Sequence, residues 1–267
     1  MASSRRPQSR DHPLLVVLLS EHYGRMAAPI RIVPLHPGRA AARVAAAHLT
    51  YRGGPLLSAA AVVTVFWGDE WQAGEAPLLT QINDFFSYVL SSELIDQLSE
   101  YSVPDTAIGH GSLAATAVIT DQTPAASVTD ADIQGLIQSH ITSGTLPAAT
   151  PDSLYFVHLP PAVDVDLGGQ RSCSNFCGYH DAIGGTTFYA VMPYPGCSGC
   201  VGGLQVLDAL TSTSSHELCE AITDPVPGTG WYDDSNGEIG DICAWQTKQV
   251  GPWTVQLEWS NQNRGCI

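Results

Sequence analysis

The chain has 267 residues, a length that suits one sizeable core with elaborations. Its composition is that of a globular protein, since 44% of the residues are hydrophobic and only 14% are charged. From Gly53 onward three basic residues stand against 24 acidic ones, and such an acidic body repels nucleic acid and anionic membrane surfaces. We therefore expect no nucleic acid and no membrane as partners, and an attraction for divalent cations.

Residues 1–50 differ from the rest of the chain. Eight of the eleven basic residues lie in the first 52 positions. Arginines precede a short apolar run after Pro13, which is the order of a signal peptide, although no small-x-small cleavage site follows closely. We interpret residues 1–50 as a targeting or propeptide segment, with Met26 as an alternative start, and residues 51–267 as the folded domain. No later run reaches the roughly 20 apolar residues of a transmembrane helix, so we expect no membrane insertion.

The elements predicted after residue 50 follow the order of an α/β domain with a central sheet and packed helices. Strands are indicated by β-branched and aromatic runs between turn residues, and helices by apolar residues at helical spacing. In chain order the predictions are strand Ala59–Trp67, helix Pro77–Leu98, strand Leu113–Thr120, helix Thr129–Ser143, strand Leu154–Leu159, strand Thr186–Met192, helix Val206–Thr223, and a closing hairpin of Ile242–Thr247 and Trp253–Trp259.

Seven cysteines lie after residue 172, at positions 173, 177, 197, 200, 219, 243 and 266. Clustering of this kind indicates either disulfides formed in an oxidising compartment or a thiolate metal site. The intervals between the cysteines are rich in Gly, Ser and Pro and are typical of loops that disulfides join, so we expect disulfides. The first four cysteines are also sufficient for a structural zinc site.

The stretch Ser214–Pro225 reads SSHELCEAITDP and predicts a metal site on a helix. His216 and Glu220 are one turn apart on the same face, and Glu217 lies about 100° around the helix. This is the geometry of the H-E-x-x-H zinc hydrolases, in which the residues at i and i+4 bind the metal and the intervening glutamate is the general base. Here a glutamate replaces the second histidine, and its carboxylate is an acceptable zinc ligand. The alternative is the polar end of an ordinary helix.

The opposite side of this helix carries Leu218, Cys219 and Ile222. We therefore expect the polar face to turn away from the face that packs on the core. Cys219, the odd cysteine, is then most simply a buried free thiol.

A third ligand is expected from the loop 230–243, because a catalytic zinc usually has three protein ligands and an open fourth position. Four acidic residues lie in this loop: Asp233, Asp234, Glu238 and Asp241. A solvated acidic loop is one alternative interpretation, and a calcium site is another, since that ion prefers hard oxygen ligands.

Several stretches together resemble, in the same order, the Exordium or phosphate-induced protein family. They are Tyr51-RGGPLL, the strand that ends in Phe66-Trp67-Gly68, Cys173-SNFCGYH, Cys197-SGC, the His216-Glu217-x-x-Glu220 helix, and Glu238-IGDIC before Cys266. The resemblance runs from about Tyr51 to the C-terminus. Members of this family are known as secreted plant proteins of the cell wall or apoplast connected with growth, with relatives in microbes. The resemblance therefore implies secretion and disulfides.

The resemblance is to the Exordium-like branch that keeps the His-Glu pair, and it implies roles for individual residues. His216 and Glu220 are expected to bind a metal, with Asp241 as the third ligand and Glu238 as the close alternative. Glu217 is expected to act as the general base. His180 is expected to be an electrophile or a hydrogen-bond donor to substrate, or else a loop histidine bonded locally. Asp224 stands where that branch usually has asparagine, so we expect a helix-ending or supporting residue there.

The same resemblance implies a disulfide between Cys243 and Cys266, and pairing of the other four clustered cysteines among themselves. With the metal helix it predicts a zincin-like α/β domain: sheet first, then the metal helix, then the third ligand.

The function expected from these residues is that of a secreted zinc-dependent hydrolase, most specifically a metallopeptidase with a peptide or protein substrate. The alternative is a non-catalytic extracellular protein with a structural calcium or zinc site, associated with a cell wall or matrix and its polysaccharides. A role on carbohydrate is a weaker third hypothesis, because no acid pair for glycoside cleavage is evident.

Overall fold

The computed structural model describes residues 32–35 and 47–267, so most of the predicted targeting or propeptide segment lies outside the described residues. The strands are β1 (Ile32–Pro34), β2 (Thr50–Tyr51), β3 (Ala61–Trp67), β4 (Ser112–Ile119), β5 (Ser127–Thr129), β6 (Ser153–His158), β7 (Asp164–Leu167), β8 (Gln170–Arg171), β9 (Phe176–Ile183), β10 (Thr187–Met192), β11 (Trp231–Tyr232), β12 (Thr247–Val250), β13 (Trp253–Gln256), β14 (Trp259–Ser260) and β15 (Gly265–Cys266). The helices are α1 (Ala76–Val89), α2 (Glu93–Asp96), α3 (Asp130–Ser143), α4 (Ser198–Val201) and α5 (Val206–Thr223), with short 3-10 helices at Asp69–Gln72, Gln97–Tyr101 and Asp241–Cys243.

A six-stranded mixed sheet, in the order β1-β9-β10-β6-β3-β4, forms the centre of the fold. Strands β4, β3, β6 and β10 are parallel, while β9 runs antiparallel to β10 and β1 antiparallel to β9. β6 is buried along its whole length and β3 along all but its first residue, as expected for strands covered on both faces.

Helices cover both faces of this sheet. Side chains alternate along β3, so that Phe66 packs with α1 and α5 on one face while Val65 packs with α3 on the other. The predicted α/β class, with a central sheet and packed helices, is therefore confirmed. No helix among the described residues is long and apolar enough to cross a membrane.

The predicted order of elements is confirmed from β3 to β6, with changes at some ends. The helix predicted to reach Leu98 ends at Val89, and α2 follows it as a separate turn capped by Ser92. The capping box at Thr129 is present at the start of α3. The C-terminal hairpin is present too, but its first strand begins only at Thr247, because residues 241–243 form a 3-10 helix.

Two parts of the second half differ from the prediction. β9 lies in a stretch for which no strand was predicted, because its sequence FCGYHDAI mixes Gly, His and Asp with few β-branched residues. α5 runs unbroken through Thr211-STSS, a sequence of weak helix formers. Two hydroxyl side chains of this stretch bond to the backbone of β13. Thr211 Oγ1 donates to the Thr254 carbonyl at 2.7 Å, and Ser215 Oγ accepts from the Gln256 N–H at 2.9 Å.

Six of the cysteines form three pairs at disulfide distance: Cys173–Cys197, Cys177–Cys200 and Cys243–Cys266. The first two pairs join the start of β9 to α4, and the third joins the 3-10 helix at residues 241–243 to β15. Cys219 is free and buried. The expected disulfides, including the pairing of Cys243 with Cys266, and the buried free thiol are thus confirmed.

Candidate metal centre

Helix α5 is buried on every side, and this buries the predicted metal site with it. Leu218, Cys219 and Ile222 pack in the core as expected, but every residue from Ala209 to Thr223 is buried, so the polar face is covered too. β9 covers this face, and Gly178 allows the close approach. A Cβ on Gly178 would lie 2.8 Å from Thr213 Cγ2 and 3.3 Å from Glu217 Oε1.

His216, Glu220 and Asp241 come together as a first ligand group. Each offers one ligand atom, and these atoms lie within 4.8 Å of one another. His216 Nε2 is 3.0 Å from Glu220 Oε1, and the Asp241 backbone N–H donates to the same oxygen at 3.0 Å. The loop after the helix therefore folds back onto the His216–Glu220 face.

Glycines bring this loop into place. Gly240 packs against the His216 imidazole so closely that a Cβ would lie 2.7 Å from Nδ1. Gly237 has a φ of +91°, which residues with a Cβ rarely adopt. The Glu238 N–H donates to Asp241 Oδ2 at 3.2 Å, and this bond holds the two acidic residues of the loop together.

His180, Glu220 and Glu238 form a second ligand group with the same 4.8 Å limit, and Glu220 belongs to both groups. His180 Nδ1 lies 3.6 Å from Glu220 Oε2, and His180 Nε2 lies 3.5 Å from Glu238 Oε1. The predicted catalytic histidine therefore lies in the centre and is not a loop histidine, since it projects from β9.

His180 also holds Glu217. Its Nδ1 is 3.0 Å from Glu217 Oε2, and its Nε2 is 3.1 Å from the Asp224 carbonyl oxygen, which can only accept. Burial opposes a charge on His180, but the hydrogen bond and charge of Glu217 together with Glu220 outweigh it and raise the pKa of His180 to about 9. Glu217 is thus paired with an imidazole that carries a proton.

Asp224 supports the centre without belonging to either ligand group. Its carboxylate accepts from the backbone N–H groups of Gly228, Thr229 and Gly230, at 2.6, 3.0 and 2.5 Å. The residue therefore ends α5 and fixes the turn that leads to the acidic loop, which is the supporting position expected for it.

The side chain of Gln256 approaches the far side of His216. Its Oε1 accepts from the Trp245 N–H at 3.1 Å, and its Nε2 donates to the Gly240 carbonyl at 2.9 Å. These two contacts orient the amide so that Nε2 also donates to His216 Nδ1, at 2.8 Å. The proton of a neutral His216 then lies on Nε2, so coordination through Nε2 requires the Gln256 amide to turn over.

Electrostatics make the centre a strong candidate for a cation. His180, His216, Glu217, Glu220 and Glu238 are each at most 1% exposed. Burial together with the charge of Glu220 raises the pKa of Glu238 well above its ordinary value, whereas the two histidines outweigh burial and lower the pKa of Glu220.

Buried atoms in the centre also lack hydrogen-bond partners. They are Glu217 Oε1 and both carboxylate oxygens of Glu238, whereas the buried His216 Nε2 faces Glu220 Oε1 at 3.0 Å. Buried polar atoms normally have partners, and a divalent cation would supply one for these. The residues present therefore fit a bound metal ion.

Two residues of this neighbourhood, Gln256 and Glu258, were missed by sequence reasoning. Glu258 is fully buried with both carboxylate oxygens unpaired, and burial raises its pKa well above the ordinary value. The available signal was a lone acidic residue between Leu257 and Trp259 in an apolar run.

The other acidic residues of the loop lie outside the centre. Asp233 accepts from the N–H groups of Ser235 and Asn236, and Asp234 is an exposed partner of Arg52 at 2.6 Å. Cys173, Cys197 and Cys200 also satisfy the distance limit for a metal group, but these cysteines belong to the disulfide pairs.

Comparison with known proteins finds no match: no protein-family model, no curated protein and no solved structure shows significant similarity to this chain.

Proposed function

We propose that this chain is a secreted zinc-dependent hydrolase, and most specifically a metallopeptidase. The observation that carries the proposal is the first ligand group. His216 and Glu220 from one helix meet Asp241 from a loop about 20 residues later, and Glu217 lies beside them on the same helix.

The first ligand group would hold the metal, and Glu238 would stand next to it as the alternative ligand. A bound divalent cation supplies Lewis-acid chemistry, lowering the pKa of a water molecule and polarising the substrate carbonyl. Both ligand groups combine imidazole with carboxylate, which suits zinc better than calcium, an ion that takes oxygen ligands.

Glu217 is the residue we assign to proton transfer. Burial raises its pKa above the ordinary value, even though the hydrogen bond from His180 works in the opposite direction. A carboxylate with a raised pKa accepts a proton more readily near neutral pH, which suits a general base. His180 fixes Glu217 Oε2 and leaves Oε1 without a partner, so Oε1 is the oxygen we assign to the proton.

The remaining support concerns fold and compartment. The chain order is the one expected of a zincin-like domain, with the sheet first, then the metal helix, then the third ligand. The disulfide pairs are compatible with an oxidising, extracellular location. We also propose that the chain is a member of the Exordium family, which would account for secretion.

Metal content and the variant Glu217→Gln test the proposal. We expect about one zinc per chain by elemental analysis, cleavage of a peptide library by the wild type, and retained zinc without cleavage in Glu217→Gln. Glu93→Gln, on the exposed surface of α2, removes one carboxylate charge outside both ligand groups and should leave both zinc and cleavage unchanged. Retained cleavage in Glu217→Gln would remove this residue from the mechanism.

A second candidate function is a non-catalytic extracellular protein with a structural metal. The burial of His216 and Glu220, each at most 1% exposed, favours it, because a substrate has to reach a catalytic metal. This function predicts zinc or calcium without turnover on any peptide, and a melting temperature that rises with the bound ion.

A further inference from the structure

The outer edge of β9 is occupied by a short strand from the N-terminal part of the chain. β1 pairs antiparallel with β9, with Ile32 opposite Tyr179 and Val33 opposite Gly178. The described residues around β1 are only 32–35, so it reaches β9 from the segment interpreted above as targeting or propeptide. A strand supplied by such a segment covers an edge that belongs to the folded domain.

Side chains of β1 fill a pocket built by the two neighbouring disulfides. Val33 is 2% exposed and packs against Cys177 and Cys200. Leu35 lies over Gly199, where a Cβ would come within 3.1 Å of Leu35 Cδ2. These contacts favour a branched apolar side chain such as that of Val33, because the two disulfides and the Trp245 side chain line the pocket.

The backbone of β1 is held at one further point. Trp245 Nε1 donates to the Pro34 carbonyl oxygen at 2.8 Å. The pairing is short, because the register shifts between Val33 and Pro34 and because proline has no N–H to donate. A strand of three residues with this interruption is held weakly by its own hydrogen bonds.

The outer edge of β9 lies next to the candidate metal centre. Residues that pair across two strands share a face of the sheet, so Val33 lies on the same face as Gly178, the face that α5 covers. Glu217 Oε1 lies over Gly178, and His180 follows two residues further along β9. An extended chain on this edge therefore runs alongside the residues assigned to catalysis.

We propose that the outer edge of β9 is a binding site for an extended peptide with a branched apolar residue at the Val33 position, and that β1 is the chain's own occupant of this site. Strand addition gives affinity through main-chain hydrogen bonds, and the disulfide-lined pocket gives selectivity. The inference deepens the proposed function, since it supplies the class of substrate and places it beside Glu217.

The tether explains why a weak strand occupies the site. A segment joined to the domain by a short linker is present at an effective concentration on the order of millimolar. Residues 1–40 contain no cysteine, so nothing covalent would retain them once the chain is cut between β1 and β2. Removal of this segment is then expected to open the edge to other peptides.

Binding of a labelled peptide tests the site directly. The full chain, with a site-specific protease sequence inserted between Ala40 and Ala41, is compared uncut and after cutting and gel filtration. The probe is a fluorescent peptide of residues 29–37, measured by anisotropy. We expect the cut chain to bind it about 100-fold more tightly than the uncut chain. A probe with Val33→Asp should bind at least about 10-fold more weakly, because it buries a charge in the pocket.

A second variant keeps the test independent of cutting. Val33→Asp in the uncut chain should weaken the internal strand and bring probe binding close to that of the cut chain. Equal binding by cut and uncut chains, or by both probes, would overturn the proposal. Cleavage is scored separately. A probe that binds without any peptide being cleaved supports the site and contradicts the peptidase, whereas cleavage without probe binding contradicts the site alone.

Discussion

Replacing Gly240 by alanine is expected to disturb the first ligand group through a single added carbon. The new Cβ would lie 2.7 Å from His216 Nδ1 and 2.9 Å from Cε1, so ring and loop must separate until the contact reaches about 3.4 Å. Overpacking of this kind costs about 1–3 kcal/mol, which lowers the melting temperature of a chain of this size by about 3 to 10 °C. Ligands must be held to within about 0.5 Å, so we expect zinc affinity to fall about 10- to 100-fold.

Zinc titration by calorimetry and thermal unfolding with and without a chelator measure the two effects separately. Gly135→Ala is the matched control, because a Cβ at Gly135 meets nothing within 4 Å and the residue lies inside helix α3. That change should stabilise the protein by about 0.5–1 kcal/mol and leave zinc affinity unchanged. If Gly240→Ala binds zinc as tightly as wild type and melts at the same temperature, His216 does not lie against the loop as described.

Three further predictions concern stability, each measured by urea denaturation. Burial lowers the pKa of His158 to about 3. Between pH 6.5 and about pH 3 the unfolded chain therefore holds a proton that the folded chain lacks, and the free energy of unfolding falls by about 1.4 kcal/mol for each unit by which the pH is lowered. His158→Phe should reduce the loss between pH 7 and pH 5, and an unchanged loss would contradict the assignment. Asp224→Asn should cost about 2–3 kcal/mol, because one amide oxygen replaces a carboxylate that accepts three N–H groups, and a loss below about 0.5 kcal/mol would count against that role. Removing the Cys243–Cys266 pair with a double alanine variant should cost about 3 kcal/mol, and equal stability of variant and wild type under oxidising conditions would argue against the bond.

The parts of the centre that depend on local geometry could be predicted from the sequence. His216 and Glu220 share a helix face because they are four residues apart, and this holds wherever the helix packs. The return of Asp241 to that face was expected from its acidic neighbours and from the resemblance. The structure brings these three residues together.

The parts that depend on pairing between distant strands could not be predicted. His180 reaches Glu217 only because β9 lies between β1 and β10, and the sequence of β9 has little strand character. Gln256 contacts His216 from 40 residues away, through a hairpin whose first strand was predicted several residues too early. Neither contact leaves a periodic pattern in the sequence.

The burial of α5 was also beyond pattern reasoning. Leu218 and Cys219 pack in the core as expected, but the opposite face is covered too, by β9 and β13. The small hydroxyl residues from Thr211 to Ser215 allow this, since they donate to and accept from the covering backbone. Amphipathic spacing indicates which side of a helix is apolar, and it does not indicate whether the polar side meets solvent or another strand.

The position of Cys243 determines when the candidate centre can be loaded with metal. Cys243 follows Asp241 by two residues, and its bond to Cys266 anchors the loop that presents Asp241 to Glu220. While the chain is still in a reducing environment this anchor cannot form, and Asp241 stays on an untethered loop. Under the proposed function we therefore expect metal loading to follow oxidation of Cys243 and Cys266.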